Sequence, residues 1–249
     1  MIIKLDDKVK SELTNSEEQV IKYINENESK LVNMSIVDIA EETFTSPATV
    51  SRAIKKCGLN GFIELRYTLS KKNKKEDDSK DINEIFSKSL IETRQTIENL
   101  SVNSILEVLE LIKKSEKIIV LARGLTELVA EEFSLKLQLM DFNVFKITDP
   151  NIMKKISKDE KKNQLYIIFT LKGVDEDILI SAKNAHNAGA KVVVCCCDMG
   201  KELRKYTDHA IMGYKHSNIS IKKYEVTSRL PLFIISRVIL DYLVMNIEK

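Results

Sequence analysis

The sequence predicts a two-part fold, in which an all-α N-terminal domain precedes an α/β C-terminal domain with a parallel sheet flanked by helices. Before residue 115, apolar residues recur at helical spacing. After it, short runs rich in valine and isoleucine alternate with helical stretches, which is typical of a parallel sheet covered on both faces. A chain of 249 residues with 43% hydrophobic content is long enough to bury a core in each of two domains.

The first clear helix begins after Thr14. Thr14 and Glu17 have the T-x-x-E spacing of a capping box, in which each side chain bonds the other residue's backbone. Val20, Ile21 and Ile24 then form an apolar stripe, which predicts that one face of this helix is buried. With the segments that follow, this helix forms a small helical domain that we place at residues 1–72.

Residues 35–58 predict two short helices joined by a tight turn, the arrangement of a DNA-reading helix-turn-helix. Ser35 and Asp38 cap the first helix, and Ser46 with Pro47 supplies an N-cap and a first-turn proline for the second. The apolar positions of the second helix share one face, so its polar residues are left for contact with a ligand. We predict that it binds a double-stranded DNA operator through Ser46, Thr49, Ser51, Arg52, Lys55 and Lys56.

The distribution of charge supports this prediction. Residues 1–42 carry ten acidic and five basic side chains, whereas residues 43–75 carry eight basic side chains and one acidic one. Because the formal net charge of the chain is only +2, positive charge is concentrated where a phosphate backbone would lie. Arg52 is the candidate for bidentate guanine recognition, with Lys55 and Lys56 on the backbone. The alternatives are a solvated lysine-rich face and an Arg52 ion pair within the domain.

Residues 73–81 contain no large apolar side chain and predict a solvated linker, so the second domain spans residues 82–249. Gly124 and Gly173 each follow a predicted strand and precede a predicted helix. In open parallel sheets, ligands bind at this edge and helix N-terminal amides attract anions. The expected order is two helices, strands at 117–122, 143–147, 164–170 and 191–197, a fifth strand at 209–212, and an amphipathic helix at 228–245.

Several classes of site and location have no support in the sequence. The glycine loops match neither a dinucleotide fingerprint nor a Walker loop, so we expect no cofactor. Cys195, Cys196 and Cys197 are consecutive on a strand and point to alternate faces, so we predict buried thiols and no metal site. The N-terminus lacks the apolar core of a signal peptide, and Arg237 and Asp241 interrupt the late apolar stretch, which predicts a cytoplasmic protein without membrane contact.

These features together resemble the RpiR family of bacterial transcriptional regulators. The resemblance covers nearly the whole chain and is carried by Leu13–Glu17, Asn33–Ile36, Ile39–Glu41, Ala48–Arg52 and Lys55–Phe62. It implies a helix-turn-helix domain joined to a C-terminal sugar isomerase (SIS) domain that binds phosphosugars, in a regulator of carbohydrate metabolism that is not an enzyme. Phe44 departs from the family, which usually has a glycine or small residue in the turn, and we expect its ring to pack inward.

The C-terminal half matches the family in layout more than in site chemistry. The glycine-rich first ligand loop of the family corresponds to residues 122–126, and its S-x-S-G-x-T loop corresponds to residues 170–175. Lys172 and Asp175 replace hydroxyl residues that usually hold the phosphate; a lysine attracts phosphate, whereas an aspartate repels it. The resemblance implies a phosphosugar effector site at Arg123, Gly124, Thr126, Thr170, Lys172, Gly173 and Asp175.

Two alternatives to the sensing regulator stay open. One is a SIS-type sugar-phosphate isomerase, which needs a base beside the sugar; the chain has three histidines, His186, His209 and His216, at no telling spacing from a carboxylate. The other is a regulator whose SIS domain only mediates assembly, because its ligand loops are altered. In either regulator, two DNA half-sites and the amphipathic last helix predict a homodimer or homotetramer.

Overall fold

The computed structural model describes residues 3, 7–72, 77–158, 162–216 and 227–247. They divide into two compact units, Met1–Leu90 and Ile91–Lys249. The first unit is helical, as predicted. Its helices are α1 (Asp7–Glu12), α2 (Asn15–Glu26), α3 (Glu28–Leu31), α4 (Ile36–Glu42), α5 (Pro47–Lys56) and α6 (Phe62–Lys72).

The core of the first unit is formed by the stripes predicted from helical spacing. Val20, Ile21 and Ile24 of α2 are fully buried against Val50 and Ile54 of α5. The predicted capping box at the start of α2 is present, because Thr14 and Glu17 each accept a hydrogen bond from the other's backbone amide. The helical domain is therefore built on local signals that the sequence carries.

A long helix, α7 (Asp77–Asn99), begins earlier than the predicted start at residue 82. Residues 77–81 of the predicted linker are therefore helical, while residues 73–76 lie outside the described part of the chain. The division between the compact units falls at residues 90 and 91, inside α7. The linker at 73–81 and the domain boundaries drawn from it stay a prediction.

The second unit contains the predicted parallel sheet. Its strands are β1 (Lys117–Ala122), β2 (Val144–Ile147), β3 (Gln164–Thr170), β4 (Lys191–Cys196) and β5 (His209–Met212), all parallel, in the order β2-β1-β3-β4-β5. Its helices are α8 (Val102–Lys114), α9 (Glu127–Leu139), α10 (Pro150–Ile156), α11 (Glu176–Asn187), α12 (Lys201–Arg204) and α13 (Leu230–Ile247), with a 3-10 turn at Gly124–Thr126.

Helices cover both faces of this sheet. Residues of α8, α9 and α13 pack on one face, and residues of α10, α11 and α12 pack on the other. Cys195 and Cys196 are fully buried on opposite faces, as the strand alternation predicts. Burial raises the pKa of the Cys196 thiol to about 12, so this thiol is protonated and unreactive at neutral pH.

The order of the strands indicates where a ligand site is expected. The chain leaves β1 toward β2 on one side and later returns to place β3 on the other side of β1. In such doubly wound sheets the ligand binds outside the carboxyl ends of the two strands at this switch, here β1 and β3. Separately, none of the helices in the described ranges is long and apolar enough to cross a membrane.

Candidate functional site

The first candidate site is the helix pair α4 and α5, and its predicted caps are confirmed. Ser35 and Asp38 form a reciprocal capping box at the start of α4. The Ser46 hydroxyl accepts a hydrogen bond from the Thr49 amide at 3.1 Å, and Pro47 occupies the first turn of α5. These contacts fix where each helix begins, and hence the length of the turn between them.

The turn between α4 and α5 is a Schellman-type helix end. The Thr45 amide donates to the Ala40 carbonyl, and the Phe44 amide donates to the Glu41 carbonyl. This pattern places Phe44 in the left-handed region, with φ of 50°, where glycine is usual. The expectation that its ring packs inward is wrong: the residue is 93% exposed, because the left-handed backbone turns the side chain away from the core.

The outer face of α5 carries a row of hydrogen-bonded polar side chains. The hydroxyls of Ser46 and Thr49 lie 2.9 Å apart, and Arg52 Nη2 donates to Thr49 Oγ1 at 3.2 Å. The Arg52 side chain is 61% exposed. Ser51 is half-buried and Lys55 is exposed on the same helix. Val50, Ala53 and Ile54 occupy the opposite, buried face, so α5 has the division between packing and contact surfaces that its sequence predicts.

Lys56 was predicted to lie on the DNA backbone, but the structure gives it partners inside the domain. Its ammonium donates to Glu17 Oε2 at 2.7 Å and to the Glu12 carbonyl at 2.8 Å. Burial raises the pKa of Glu17, but the hydrogen bonds from Lys56 and Thr14 outweigh burial and hold that pKa below its usual value. Arg52 Nε lies 3.9 Å from the same carboxylate. Lys56 therefore neutralises a buried charge and anchors α5 to α2.

Arg66, another cation of the basic run, also has a structural role. Its guanidinium lies over the rings of Phe62 and Phe86, 5.3 and 4.6 Å from their centroids, and donates to the Met34 carbonyl. Burial lowers its pKa, as expected for a cation held among apolar groups. The charge run thus includes at least two side chains that serve the fold, while Arg52 and Lys55 remain accessible.

The second candidate site is a cleft of about 240 Å³ at the carboxyl ends of β1 and β3. It lies at the predicted edge of the sheet and brings together side chains from both predicted loops. The predicted residues in its wall are Arg123, Thr126, Thr170, Lys172 and Asp175. Gly124 and Gly173 are not in the wall and instead shape the two loops.

In the first loop, Arg123 is held by backbone and carboxylate partners. Its Nη1 donates to the Thr148 carbonyl at 3.0 Å, and its Nη2 lies 3.9 Å from Asp177 Oδ2. Its Nε is buried and has no hydrogen-bond partner among the described residues. The Gly124 amide, at the start of the following turn, donates to Glu127 Oε1 at 3.0 Å. The Gly124 amide was expected to attract a bound anion, but it is already bonded to the carboxylate of Glu127.

In the second loop, Thr170 and Asp175 bond the backbone. Thr170 Oγ1 accepts from the Gly173 amide at 3.2 Å, and Asp175 Oδ1 accepts from the Ile178 amide at 3.0 Å, so Asp175 caps α11. Gly173 has φ of 61°, and a β-carbon there would lie 3.0 Å from the Gly200 nitrogen. Gly173 is thus required for the backbone conformation and for close packing against the loop at Gly200.

Arg229, just before α13, also lies in the wall of the cleft and was not among the residues predicted from the sequence. No motif marks it, because it is far along the chain from both loops and reaches the cleft only through packing of α13 on the sheet. The wall of the cleft therefore contains three cationic side chains, Arg123, Arg229 and the exposed Lys172. It contains one carboxylate, that of Asp175. The cleft therefore has a net positive wall.

The histidines lie elsewhere. His186 Nδ1 is 3.8 Å from Asp208 Oδ2, and His209 Nδ1 is 3.0 Å from Glu107 Oε2. The backbone amide of His216 donates to the buried Glu92. None of the three is in the wall of the cleft. The parts of the chain that the structure describes also hold no cluster of histidine, cysteine and carboxylate side chains suited to a metal ion.

A capped helix-turn-helix with a polar outer face, joined to a parallel α/β domain with a charged cleft, defines a DNA-binding regulator with a sensing domain. Comparison with known families agrees. The model for the helix-turn-helix domain of the rpiR family matches residues 3–76, and the model for the SIS domain matches residues 111–235. The chain belongs to the rpiR family of transcriptional regulators and carries its SIS domain.

Individual relatives are distant. An uncharacterized HTH-type transcriptional regulator of Clostridium perfringens is 23% identical over 236 residues, which span 89% of this chain and 84% of the relative. The NanR protein of Vibrio vulnificus, solved in complex with ManNAc-6P, matches with a TM-score of 0.60 at 16% identity over 96% of this chain and 90% of its own. The sugar isomerase domain of an RpiR transcription factor from Sphaerobacter thermophilus matches with a TM-score of 0.59 at 14% identity, over 66% of this chain and 89% of its own. At these identities the solved structures establish the fold.

Proposed function

We propose that this protein regulates genes of carbohydrate metabolism by binding operator DNA through α5 and sensing a phosphorylated sugar in the cleft between β1 and β3. The observation that carries the proposal is the presence, in one chain, of an outward polar row on a capped recognition helix and a net cationic cleft at the switch point of a SIS sheet.

On the DNA side, the row from Ser46 to Arg52 faces the major groove. The hydrogen bond to Thr49 holds the Arg52 side chain in place, so less conformational entropy is lost when the guanidinium binds the edge of a guanine base. Ser46, Thr49 and Ser51 reach phosphates or base edges, and Lys55 neutralises a phosphate. Lys56 anchors α5 to α2 through its ion pair with Glu17, so it contributes to DNA binding mainly by holding α5 in position.

On the effector side, the cationic side chains of the cleft hold the anionic group. The Gly124 and Ile178 amides are already bonded to the carboxylates of Glu127 and Asp175, so they are not free to cradle a phosphate. We assign the phosphate to Arg123, Lys172 and Arg229, and sugar hydroxyls to Thr126, Thr170 and the second oxygen of Asp175. The ManNAc-6P bound to the Vibrio vulnificus relative supports a phosphorylated sugar as the ligand class.

Assembly as a homodimer or homotetramer completes the proposal. Leu128, Leu135 and Leu139 are exposed along α9, and Leu139 is 84% exposed. Their spacing places them on one side of the helix, where a second copy of the chain would cover them. Two copies supply the two recognition helices that adjacent half-sites require.

Selection of bound duplexes from a random DNA library tests the DNA role, and thermal shift with a panel of phosphorylated and unphosphorylated sugars tests the sensor. We expect one enriched sequence, and a rise in melting temperature with phosphorylated sugars alone, because ligands that bind only the folded state stabilise it. Turnover of any panel sugar would instead favour the isomerase. Sequence-specific DNA binding with no thermal shift across the panel would favour the domain that only mediates assembly.

A further inference from the structure

Phe44 combines two features that are unfavourable in the isolated protein. Its backbone is in the left-handed region, with φ of 50°, and its side chain is 93% exposed. A β-carbon is unfavourable in the left-handed region, and glycine at this helix-end position would avoid that cost. The helix-end hydrogen bonds account for the backbone, but neither capping nor packing accounts for an exposed aromatic ring at this position.

The position of Phe44 identifies what its ring can meet. Phe44 precedes the N-cap Ser46 by two residues, so it lies at the end of α5 where the Ser46–Thr49–Arg52 row begins. In helix-turn-helix proteins the N-terminal residues of the recognition helix contact base edges. The exposed Phe44 ring is therefore available to a partner that covers this end of α5.

The chemistry of the major groove offers one apolar partner for such a ring. Thymine presents its C5-methyl group there, and phenylalanine is among the side chains that contact it. We propose that Phe44 reads a thymine methyl at the edge of the operator half-site and so adds one base of sequence preference to that given by Arg52. This inference rests on the proposed DNA-binding function of α5.

The test uses the full-length protein and the sequence enriched by the wild type from random duplexes. Phe44→Gly removes the ring and suits the left-handed backbone, while Phe44→Tyr keeps the ring and serves as the matched control. Each thymine of the enriched site is then replaced by deoxyuridine, which lacks only the methyl group. Binding of each protein to each duplex is measured at one fixed salt concentration, because phosphate contacts depend on salt.

We expect one thymine whose replacement weakens wild-type and Phe44→Tyr binding by about fourfold, the loss of one buried methyl group, and leaves Phe44→Gly binding unchanged. On the thymine duplex, Phe44→Gly should bind about tenfold more weakly than the wild type. Its melting temperature should rise because the backbone cost is relieved. Stability and DNA affinity would thus move in opposite directions.

The proposal is overturned if wild-type and Phe44→Gly proteins lose the same factor at every deoxyuridine position and enrich the same sequence. It is also overturned if Phe44→Gly changes the oligomeric state in sedimentation but leaves DNA affinity intact, since the ring would then meet protein. Failure of the wild type to enrich any sequence would refute the DNA-binding function itself, and so differs from failure of the Phe44 assignment.

Discussion

The two candidate sites are built in different ways. On α5, the polar row is organised by contacts within one helix, since Ser46, Thr49 and Arg52 bond one another in sequence. In the cleft, the charged side chains come from separate segments: Arg123 follows β1, Lys172 and Asp175 follow β3, and Arg229 precedes α13. The candidate DNA-binding face therefore depends on local capping, whereas the candidate effector site depends on packing over the whole α/β domain.

This difference predicts how substitutions at each site affect binding and stability. A substitution on the outer face of α5 should change the proposed contact with DNA while leaving the helix in place, because the apolar face of α5 anchors it. A substitution at Gly173 also disturbs the backbone that packs against the Gly200 loop. Effects on ligand binding and on stability should therefore be coupled at such packed positions of the cleft loops, and separable at exposed positions such as Lys172 and on the outer face of α5.

The largest expected effect compares the two loop glycines. Gly124 and Gly173 both have φ near 60°, but an added β-carbon is unobstructed at Gly124 and meets backbone atoms at 3.0 and 3.1 Å at Gly173. We expect Gly173→Ala to cost about 3 kcal/mol of unfolding free energy and Gly124→Ala about 1 kcal/mol, because only the former adds a backbone clash to the backbone strain. Urea denaturation of the two variants measures the difference. Equal costs would show that the Gly173 loop moves to relieve the close approach of the added β-carbon to the Gly200 nitrogen and the Asp198 carbonyl.

The second effect concerns the buried carboxylate beneath α5. Glu17→Gln removes the charge that Lys56 neutralises, and we expect a loss of about 2 kcal/mol at neutral pH. Because the pKa of Glu17 is lowered in the folded protein, its charge stabilises the fold above the ordinary glutamate pKa. That stability is lost as the pH falls from about 4.3 through the folded-state value.

Melting temperatures measured from neutral to acid pH test this dependence. The difference between the wild type and Glu17→Gln should shrink as the pH falls. Glu26→Gln serves as the control, because Glu26 forms an exposed pair with Lys22 at 3.9 Å, and such pairs add little stability. A pH-independent difference for Glu17→Gln would mean that the lost hydrogen bonds, and not the charge, explain the effect.

The third effect separates three cations of α5. Arg52→Ala should cost about 1.5 kcal/mol of DNA-binding free energy and relax preference at one base pair, while Lys55→Ala should weaken all sequences alike and reduce the salt dependence. Lys56→Ala should lower the melting temperature and change DNA affinity little, because Lys56 pairs with Glu17 inside the domain. Titrations at several salt concentrations, with melting curves for each variant, distinguish the three. Unchanged operator binding by Arg52→Ala would remove this residue from base recognition.

The same contrast explains how far the sequence could predict the molecule. The caps at Thr14, Ser35 and Ser46 and the strand runs were predictable because local residues determine them, and the helix-turn-helix and the sheet followed. The outward ring of Phe44 was not, because backbone handedness at a helix end decides it.

Long-range contacts could also not be predicted from the sequence. The ion pair between Lys56 and Glu17 joins residues 39 positions apart, and Arg229 reaches the cleft only through the packing of α13. Spacing along the chain carries no signal for either contact, since both depend on how separate elements meet in space.

The smallest expected effect tests the cleft with least disturbance of the fold. Asp175→Thr keeps a side chain able to cap α11, so we expect a stability change below about 0.5 kcal/mol. The threonine hydroxyl can also meet the sugar hydroxyl that we assign to Asp175, so the main change is loss of a negative charge beside the phosphate. Asp175→Thr should therefore strengthen binding of the best phosphosugar of the panel, and Lys172→Glu should abolish it while leaving DNA affinity without ligand unchanged. Calorimetric titration of both variants makes the comparison. Equal affinity in Asp175→Thr and the wild type would place the phosphate away from Asp175, toward Arg123 and Arg229. Unchanged affinity in Lys172→Glu would remove the effector from this loop altogether.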